Sequence, residues 1–360
     1  MAEKRIHNFS AGPATMPVSV LEEAQKELLN FNNSGMSIME MSHRSKAYLS
    51  VHENAKEGLK TVLNIPDQYE VLLLQGGASL QFSMVPMNLK VANKAVNVIN
   101  TGSWTKKAIK EFKKETEVNI IASSESQNFN NIPSQFSIDP NASFTYITSN
   151  NTIAGTQWHE FPDTGEVPLV ADMSSDILSR PIDVTKFGLI FAGAQKNIGP
   201  SGVTIVIIHK ELLTRSSSQL PSMLNYSAHV ENDSLYNTPP TFSVYMVSLI
   251  TNWINSQGGI NRIDKLNQDK AKCLYDLIDG DFYQTPVEKG SRSLMNVVFR
   301  IRNDEVLENK FLSEAKELGL MNLKGHRSVG GLRASIYNAV SQTSVNALTD
   351  FMQSFKVKNG

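Results

Sequence analysis

The sequence predicts an α/β fold, in which a large domain with a mostly parallel seven-stranded sheet flanked by helices is joined to a smaller α+β C-terminal domain. Short apolar runs alternate with helical patterns between residues 71 and 208, and this alternation is typical of a parallel sheet covered on both faces. The chain has 360 residues, which is long for one compact core. We therefore expect a large domain over residues 16–258 and a small domain formed by residues 1–15 and 259–360.

The composition argues against several classes of function. The 34 basic and 35 acidic residues leave a net charge of -1, so no global charge draws the chain to nucleic acid or to a membrane. Cys273 is the single cysteine, which excludes an internal disulfide framework and favours a reducing compartment. No apolar run approaches the roughly 18 residues that span a bilayer, and the N-terminus lacks the apolar core of a signal peptide. We expect a cytoplasmic protein without a metal site.

Two helices precede the sheet. Thr15 is predicted to cap the first helix, with Pro17 in its first turn. The apolar stripe of that helix is formed by Val20, Leu21, Ala24, Leu28 and Leu29. A loop over residues 36–44 is predicted to lead into a helix over residues 48–63. His43 and Arg44, at the end of the loop, suit the binding of an anion. Taken without the rest of the sequence, these two residues are better explained by the alternative, an ordinary solvated pair.

The seven strands of the sheet are predicted from short apolar runs. They lie at residues 71–74, 96–99, 118–121, 144–147, 169–171, 189–191 and 203–208. Later helices are predicted at residues 241–254, 263–277, 307–318 and 344–355, with a further strand at residues 295–301. In open parallel sheets, ligands bind outside the carboxyl ends of the strands, so a site is expected in the loops at that edge.

Lys196 lies in one of these loops. The segment 192–202 is rich in small residues and joins two apolar strands. Lysine is costly to bury unless it has a partner or a chemical task. An amine whose pKa is lowered by its surroundings can form a Schiff base with an aldehyde cofactor. The alternative is a lysine in a surface turn.

Asp172 follows the strand at residues 169–171, so its carboxylate is expected at the same edge as Lys196. A buried aspartate opposite a ring nitrogen keeps that nitrogen protonated, and the ring can then accept electrons. The alternative is a helix cap for residues 173–175, since aspartate is a favoured cap. The presence of Lys196 favours the functional interpretation.

Two further features accompany this edge. Residues 76–79, Gly-Gly-Ala-Ser, form a strand-to-helix junction, where free backbone amides and the helix dipole attract phosphate. The motif matches neither the dinucleotide-binding nor the Walker pattern, which weakens a nucleotide-binding interpretation. Trp104 offers an aromatic face to a planar ring, although a tryptophan at the boundary of the core is the commoner case.

A basic, glycine-rich segment lies near the C-terminus. His326, Arg327 and Arg333 have no acidic partner nearby in the sequence, and arginine binds carboxylate and phosphate in a bidentate manner. A solvated basic turn is the alternative. Together with His43 and Arg44, these residues exceed what one carboxylate requires, which implies a substrate with both a carboxylate and a phosphate.

Several motifs resemble one known family from end to end. Residues 192–200, Ala-Gly-Ala-Gln-Lys-Asn-Ile-Gly-Pro, are close to its signature. Further matches lie at residues 8–13, 41–44, 183–184, 237–242, 324–327 and 331–339. The sequence is similar to the class V pyridoxal-phosphate-dependent aminotransferases of fold type I, which share the aspartate aminotransferase-like fold, and within them to enzymes that act on phosphoserine.

The resemblance implies a role for each candidate residue. Lys196 and Asp172 would be catalytic, with pyridoxal 5′-phosphate (PLP) attached to Lys196. The cofactor-binding residues would be Ala78, Ser79, Trp104, Thr152, Asp172, Gln195, Lys196, Asn237 and Thr238. Arg333 would bind the substrate carboxylate. The phosphate, or the distal carboxylate of glutamate, would be bound by His43, Arg44, His326 and Arg327.

The same resemblance implies a homodimer with shared active sites, in which His43, Arg44, Asn237 and Thr238 would come from the second subunit. One local departure is Ser79, since some relatives have Gly-Gly-Gly-Arg where this chain has Gly-Gly-Ala-Ser.

The implied reaction exchanges the amino group between phosphoserine and 2-oxoglutarate, giving 3-phosphohydroxypyruvate and glutamate. Its expected direction in serine synthesis is toward phosphoserine. A second activity on 4-phosphohydroxythreonine, in vitamin B6 synthesis, is also implied. Two alternatives stay open. One is another class V enzyme such as a cysteine desulfurase, which would need a catalytic cysteine on a mobile loop, whereas Cys273 is predicted to lie in a helix. The other is a non-catalytic phosphate-binding protein.

Overall fold

The computed structural model describes residues 5–360 of the chain. The strands are, in chain order, β1 His7–Asn8, β2 Tyr69–Leu74, β3 Val96–Asn100, β4 Val118–Ser123, β5 Thr145–Thr148, β6 Asn150–Asn151, β7 Thr156–Gln157, β8 Leu169–Asp172, β9 Leu189–Gly193, β10 Thr204–His209, β11 Tyr283–Gln284, β12 Asn296–Ile301, β13 Leu320–Met321 and β14 Leu332–Ser335. The α-helices are α1 Val18–Glu27, α2 Lys46–Leu63, α3 Gly77–Leu89, α4 Ser103–Phe112, α5 Tyr226–Glu231, α6 Thr241–Ser256, α7 Ile260–Ile278, α8 Glu305–Glu317 and α9 Gln342–Asn359.

The central sheet has seven strands in the order β2-β10-β9-β8-β5-β3-β4. Strand β10 is antiparallel to both of its neighbours, and the other pairs in the sheet are parallel. The predicted mostly parallel seven-stranded sheet is confirmed, and every predicted strand of it lies within two residues of the observed bounds. A buried strand is apolar on both faces, and this pattern is readable in the sequence.

Successive residues of the central strands point into two different hydrophobic cores, one on each face of the sheet. On β2, Val71 and Leu73 belong to one core, whereas Leu72 and Leu74 belong to the other. Strand β10 alternates in the same way. This is the period-two geometry of a strand covered on both sides, and it leaves the ends of the strands as the accessible part of the sheet.

A second, three-stranded antiparallel sheet has the order β11-β12-β14. It contributes to a third core together with α7, α8 and α9. Phe9 is buried in that core, and β1 pairs in parallel with β13, so the N-terminal segment packs against the C-terminal part of the chain. The predicted strand at residues 295–301 and the predicted helices at residues 307–318 and 344–355 are confirmed as β12, α8 and α9. The domain boundaries at residues 15 and 258 stay a prediction.

The structure corrects the start of the first helix. Thr15 does not cap it, because α1 begins at Val18 after Pro17, which supplies no side-chain cap. Thr15 instead donates its hydroxyl proton to the carbonyl of Asn8 at 2.7 Å. The predicted apolar stripe is also too long, since the helix ends at Glu27 and Leu29 beyond it is 84% exposed.

Five two-residue strands and the four-residue β14 were not predicted, because runs this short carry no readable period. Within the described residues 5–360, no helix combines the length and apolarity that crossing a membrane requires.

Helices α2 and α6 pack closely where a glycine meets a threonine. A methyl group at Gly58 of α2 would lie 2.8 Å from Cβ of Thr251 on α6, and Thr251 is fully buried. The side chain of threonine branches at Cβ, so it cannot move that atom without moving its helix. The absence of a side chain at Gly58 therefore sets the distance between the two helices.

We predict that Gly58→Ala destabilises the protein by about 1–3 kcal/mol, because the strain of overpacking exceeds the gain in helix propensity. The measurement is the free energy of unfolding from chemical denaturation. Gly290→Ala is the matched control, since a methyl group there would have no neighbour within 4 Å. An unchanged or increased stability of Gly58→Ala would contradict the packing argument.

Candidate active site

A cavity of about 410 Å³ opens at the carboxyl ends of the parallel strands. Loops that follow β2, β5, β8 and β9 line it, together with the start of α4 and of β10. It brings together seven of the predicted cofactor-binding residues: Ala78, Ser79, Trp104, Thr152, Asp172, Gln195 and Lys196. These residues are far apart in sequence, and the parallel arrangement of the strands is what places their loops at one edge.

Lys196 lies in the turn after β9 and is partly buried. Its Nζ donates a hydrogen bond to Oγ1 of Thr152 at 2.9 Å. Burial lowers the pKa of Lys196 to about 8; the charge of Asp172 opposes this change and that of Arg333 adds to it. At this pKa roughly a tenth of the amine is neutral at pH 7, and a neutral amine is the nucleophilic and basic form.

Asp172 is the last residue of β8 and is buried. Its Oδ1 accepts a hydrogen bond from the backbone N–H of Ser174 at 2.9 Å, and burial raises the pKa of its carboxyl group. The two interpretations of Asp172 thus coexist, since it caps the turn that follows and also lines the cavity. That turn does not continue as an α-helix.

The N-terminus of α3 forms the opposite wall of the cavity. The backbone amides of Gly77, Ala78 and Ser79 lie in the first turn of this helix, where N–H groups have no partner within the helix. A methyl group at Gly193 would lie 3.4 Å from the backbone nitrogen of Ala78, so glycine at the end of β9 leaves this helix end open. Free amides and the helix dipole together suit a phosphate group.

Trp104 lies in the first turn of α4 and lines the cavity. Its Nε1 is buried and has no hydrogen-bond partner. The ammonium group of Lys107 lies 4.1 Å from the centre of its ring, which is a cation–π contact. A buried donor without a partner is costly, and a polar ligand in the cavity would relieve that cost.

Arg333 approaches the same site from β14. One of its guanidinium nitrogens, Nη1, donates to the backbone carbonyl of Thr152 at 3.1 Å, while Nε is buried without a partner. Thr152 therefore accepts hydrogen bonds from both Lys196 and Arg333. Lys196 and Arg333 therefore both contact Thr152, and Nε of Arg333, which has no partner, is available to an anion.

Seven predicted residues do not line the cavity in this chain, Arg333 among them. His326 lines a second cavity of about 720 Å³ and hydrogen-bonds to Oγ of Ser328 at 2.7 Å, while Arg327 is exposed. The remaining four are His43, Arg44, Asn237 and Thr238. Of the buried polar atoms among them, Nε2 of His43 and Oδ1 of Asn237 have no hydrogen-bond partner.

A second buried carboxylate, that of Asp176, was not predicted from the sequence. Asp176 accepts hydrogen bonds from Nε2 of Gln157 at 3.1 Å and from the hydroxyl of Ser149, and burial raises the pKa of its carboxyl group. Its charge, like that of Asp172, raises the pKa of Lys196. The four-residue spacing from Asp172 is a signal that could have found it, but a turn rather than a helix joins the two.

Comparison with known proteins agrees with this geometry. The family model of the class V aminotransferases matches residues 6–348. The chain belongs to this family, as the motifs of the sequence predicted.

Its close relatives are phosphoserine aminotransferases. That of Geobacillus kaustophilus is 57% identical over 357 residues, which cover 98% of this chain and 99% of the relative. The solved phosphoserine aminotransferase from Bacillus circulans subsp. alkalophilus is 50% identical, with 99% of each chain covered and a TM-score of 0.97. The enzyme from Trichomonas vaginalis, solved with PLP bound, is 40% identical over 97% of this chain and all of the other, with a TM-score of 0.93. The predicted fold type is confirmed by these neighbours.

We predict that the two charges facing Lys196 shift its pKa in opposite directions. Asp172→Asn lowers the pKa below the value of about 8, because a neutral amide no longer stabilises the ammonium form. Arg333→Met raises it, because a repelling positive charge is lost. Each change is expected to be about one pH unit.

The measurement is the pH dependence of the rate at which an amine-modifying reagent labels Lys196 in cofactor-free protein, read by peptide mass spectrometry. Lys196→Ala supplies the background rate. Shifts of the same sign in both variants would contradict the assignment.

Proposed function

We propose that this chain transfers the amino group between O-phosphoserine and 2-oxoglutarate, with PLP bound covalently at Lys196. The observation that carries the proposal is the pairing of a lysine of lowered pKa with a buried aspartate in one cavity, at the N-terminus of a helix. The identity of more than half of all positions to the phosphoserine aminotransferase of Geobacillus kaustophilus supports the choice of substrate.

The cavity fits the cofactor. The amides at the start of α3 and the side chains of Ser79 and Gln195 would hold its phosphate, and Trp104 would stack on its ring, with its unpaired Nε1 available to a polar atom. Asp172 would face the ring nitrogen. When bound, PLP supplies an electron sink for the charge that develops on the amino-acid Cα.

Lys196 is the group that moves the proton. In its neutral form, Nζ would take the proton from the substrate Cα as a general base. The hydroxyl of Thr152, 2.9 Å away, accepts a hydrogen bond from this nitrogen and holds it at the floor of the cavity. The positive charge of Arg333 favours the neutral form of Lys196, which keeps the base ready to accept the proton.

The cationic groups would orient the substrate. Arg333 would bind the substrate carboxylate through its guanidinium group, whose Nε has no hydrogen-bond partner within the protein. His326 and Arg327 would bind the phosphate of phosphoserine or the distal carboxylate of glutamate.

We further propose a homodimer, in which His43, Arg44, Asn237 and Thr238 of one chain complete the site of the other. Their absence from the lining of the cavity in their own chain and the unpaired polar atoms of His43 and Asn237 support this assembly. A cytoplasmic location and the activity on 4-phosphohydroxythreonine stay predictions of the sequence.

A cysteine desulfurase is the weaker hypothesis. Such an enzyme needs a nucleophilic cysteine that reaches the cofactor, and Cys273 lies on α7, half-buried and outside the lining of the cavity. Nothing in the geometry of residues 5–360 favours that chemistry.

We predict that Lys196→Ala abolishes the visible absorbance of the PLP-loaded protein and lowers the rate of transamination by about 10³-fold or more, because both the attachment point and the general base are lost. The assay follows amino transfer from phosphoserine to 2-oxoglutarate. Lys186→Ala, at an exposed lysine before β9, is the matched control. Wild-type activity in Lys196→Ala, or a wild-type protein without PLP absorbance, would reject the proposed function.

We also predict that Arg327→Ala raises the dissociation constant for phosphoserine about ten-fold or more but leaves that for serine nearly unchanged, since one charge-assisted hydrogen bond to phosphate is lost. Spectral titration of the PLP-loaded protein with each amino acid measures both constants. Arg262→Ala, at an exposed arginine of α7, is the control. An equal loss for serine and phosphoserine would count against the assignment of Arg327 to the phosphate.

A further inference from the structure

Lys270 is a buried lysine that lies outside the candidate active site. It lies on α7 and is 3% exposed. No carboxylate within residues 5–360 forms an ion pair with it. Its Nζ donates instead to backbone carbonyls of one short segment: those of Ile336 at 2.9 Å, Tyr337 at 2.7 Å, Asn338 at 3.5 Å and Val340 at 3.1 Å.

The arrangement favours the charged form of Lys270. Three of the carbonyl oxygens lie within 3.1 Å of Nζ, and only an ammonium group has three N–H donors for them. Burial lowers the pKa of Lys270, to about 7, and the carbonyl dipoles oppose this change because they stabilise the protonated form. The oxygens converge on the ammonium group much as carbonyl oxygens replace the hydration shell of a potassium ion.

The segment that Lys270 holds, residues 336–340, begins directly after β14, the strand that carries Arg333. Its other contacts reach the loop of Lys196. The backbone N–H of Asn338 donates to Oδ1 of Asn197 at 3.0 Å, and Asn197 is the neighbour of Lys196 in the chain. The segment therefore connects the two cations of the site.

A second connection runs through the N-terminal segment. The hydroxyl of Tyr337 donates to the carbonyl of Ala11 at 2.8 Å. The next residue, Gly12, lies so close to Lys196 that a methyl group on it would be 3.5 Å from Cε of the lysine. Residues 336–340 thus support Lys196 from two sides, through Asn197 and through residues 11–12.

We propose that the ammonium group of Lys270 is a positioning group for the active site: by holding residues 336–340, it fixes Arg333 for the substrate carboxylate and Lys196 for its reaction. The part that concerns substrate binding rests on the proposed function. Lys270 itself does not line the cavity of Lys196, so it acts through the segment and not on the substrate.

The test removes the ammonium group of Lys270 by mutation and then supplies a small cation from solution. Lys270→Ala leaves the carbonyl oxygens without a cation, and a cavity of about 350 Å³ beside Lys270, Asn338 and Val340 gives a small cation access to them. We expect faster amide hydrogen exchange at residues 336–340 and 194–199 of the full chain, and a KM for phosphoserine raised about ten-fold or more. Potassium or methylammonium chloride should reverse both effects, whereas tetramethylammonium chloride at equal ionic strength should not, since it is larger and has no N–H donor.

Two further variants complete the experiment. Lys272→Ala, at an exposed lysine that pairs with Asp276 at 2.7 Å, should behave like the wild type. Lys270→Gln keeps two N–H donors and most of the side-chain volume, so it replaces Lys270→Ala in the test if that variant does not fold. Its effect should be smaller and also confined to residues 336–340 and 194–199. The proposal is overturned if Lys270→Gln has wild-type exchange and KM, if Lys270→Ala folds and is indifferent to the cation, or if exchange rises uniformly along the chain. Hydrogen exchange needs neither cofactor nor substrate, so a wild-type protein inactive on phosphoserine would reject the proposed function without deciding the role of Lys270.

Discussion

The hydrogen bonds that converge on Thr152 are the constraint on which the site depends. Its hydroxyl accepts from Lys196 and its backbone carbonyl accepts from Arg333, so one residue fixes two like charges near each other. Two cations held in this way repel, and the repulsion adds to the burial that lowers the pKa of Lys196. Because Asp172 acts in the opposite sense, the reactivity of the lysine is a balance between groups on three separate strands or loops.

Much of this site could be predicted because the chain order of a parallel sheet decides which residues share an edge. Lys196 and Asp172 each follow a buried apolar strand, and so does the glycine pair at residues 76–77. Once the strands are recognised, these residues must lie at the same carboxyl edge. The positions of these residues could be predicted without knowing any distant contact, because each position depends only on where one strand ends.

The parts that could not be predicted depend on contacts between remote residues. Arg333 was recognised as an anion-binding candidate, but its bond to Thr152, 181 positions away, follows from the pairing of β14 with β12. Strand β14 has four residues and no readable period. Asp176 was missed for a related reason, because its partners, Ser149 and Gln157, come from the neighbouring β5–β7 region and not from its own turn.

Lys196 and Lys270 show how the groups around an amine affect its charge. Lys196 has one hydroxyl as its hydrogen-bond acceptor and a second cation nearby, so burial is only partly offset and the neutral, reactive form becomes accessible. Burial lowers the pKa of Lys270 further, to about 7, and the four backbone carbonyls that face it oppose this change, because they accept hydrogen bonds and cannot donate one. The carbonyls come from the segment that links Arg333 to the loop of Lys196. In the proposed arrangement, the charge of Lys270 thus holds the geometry in which Lys196 loses its proton.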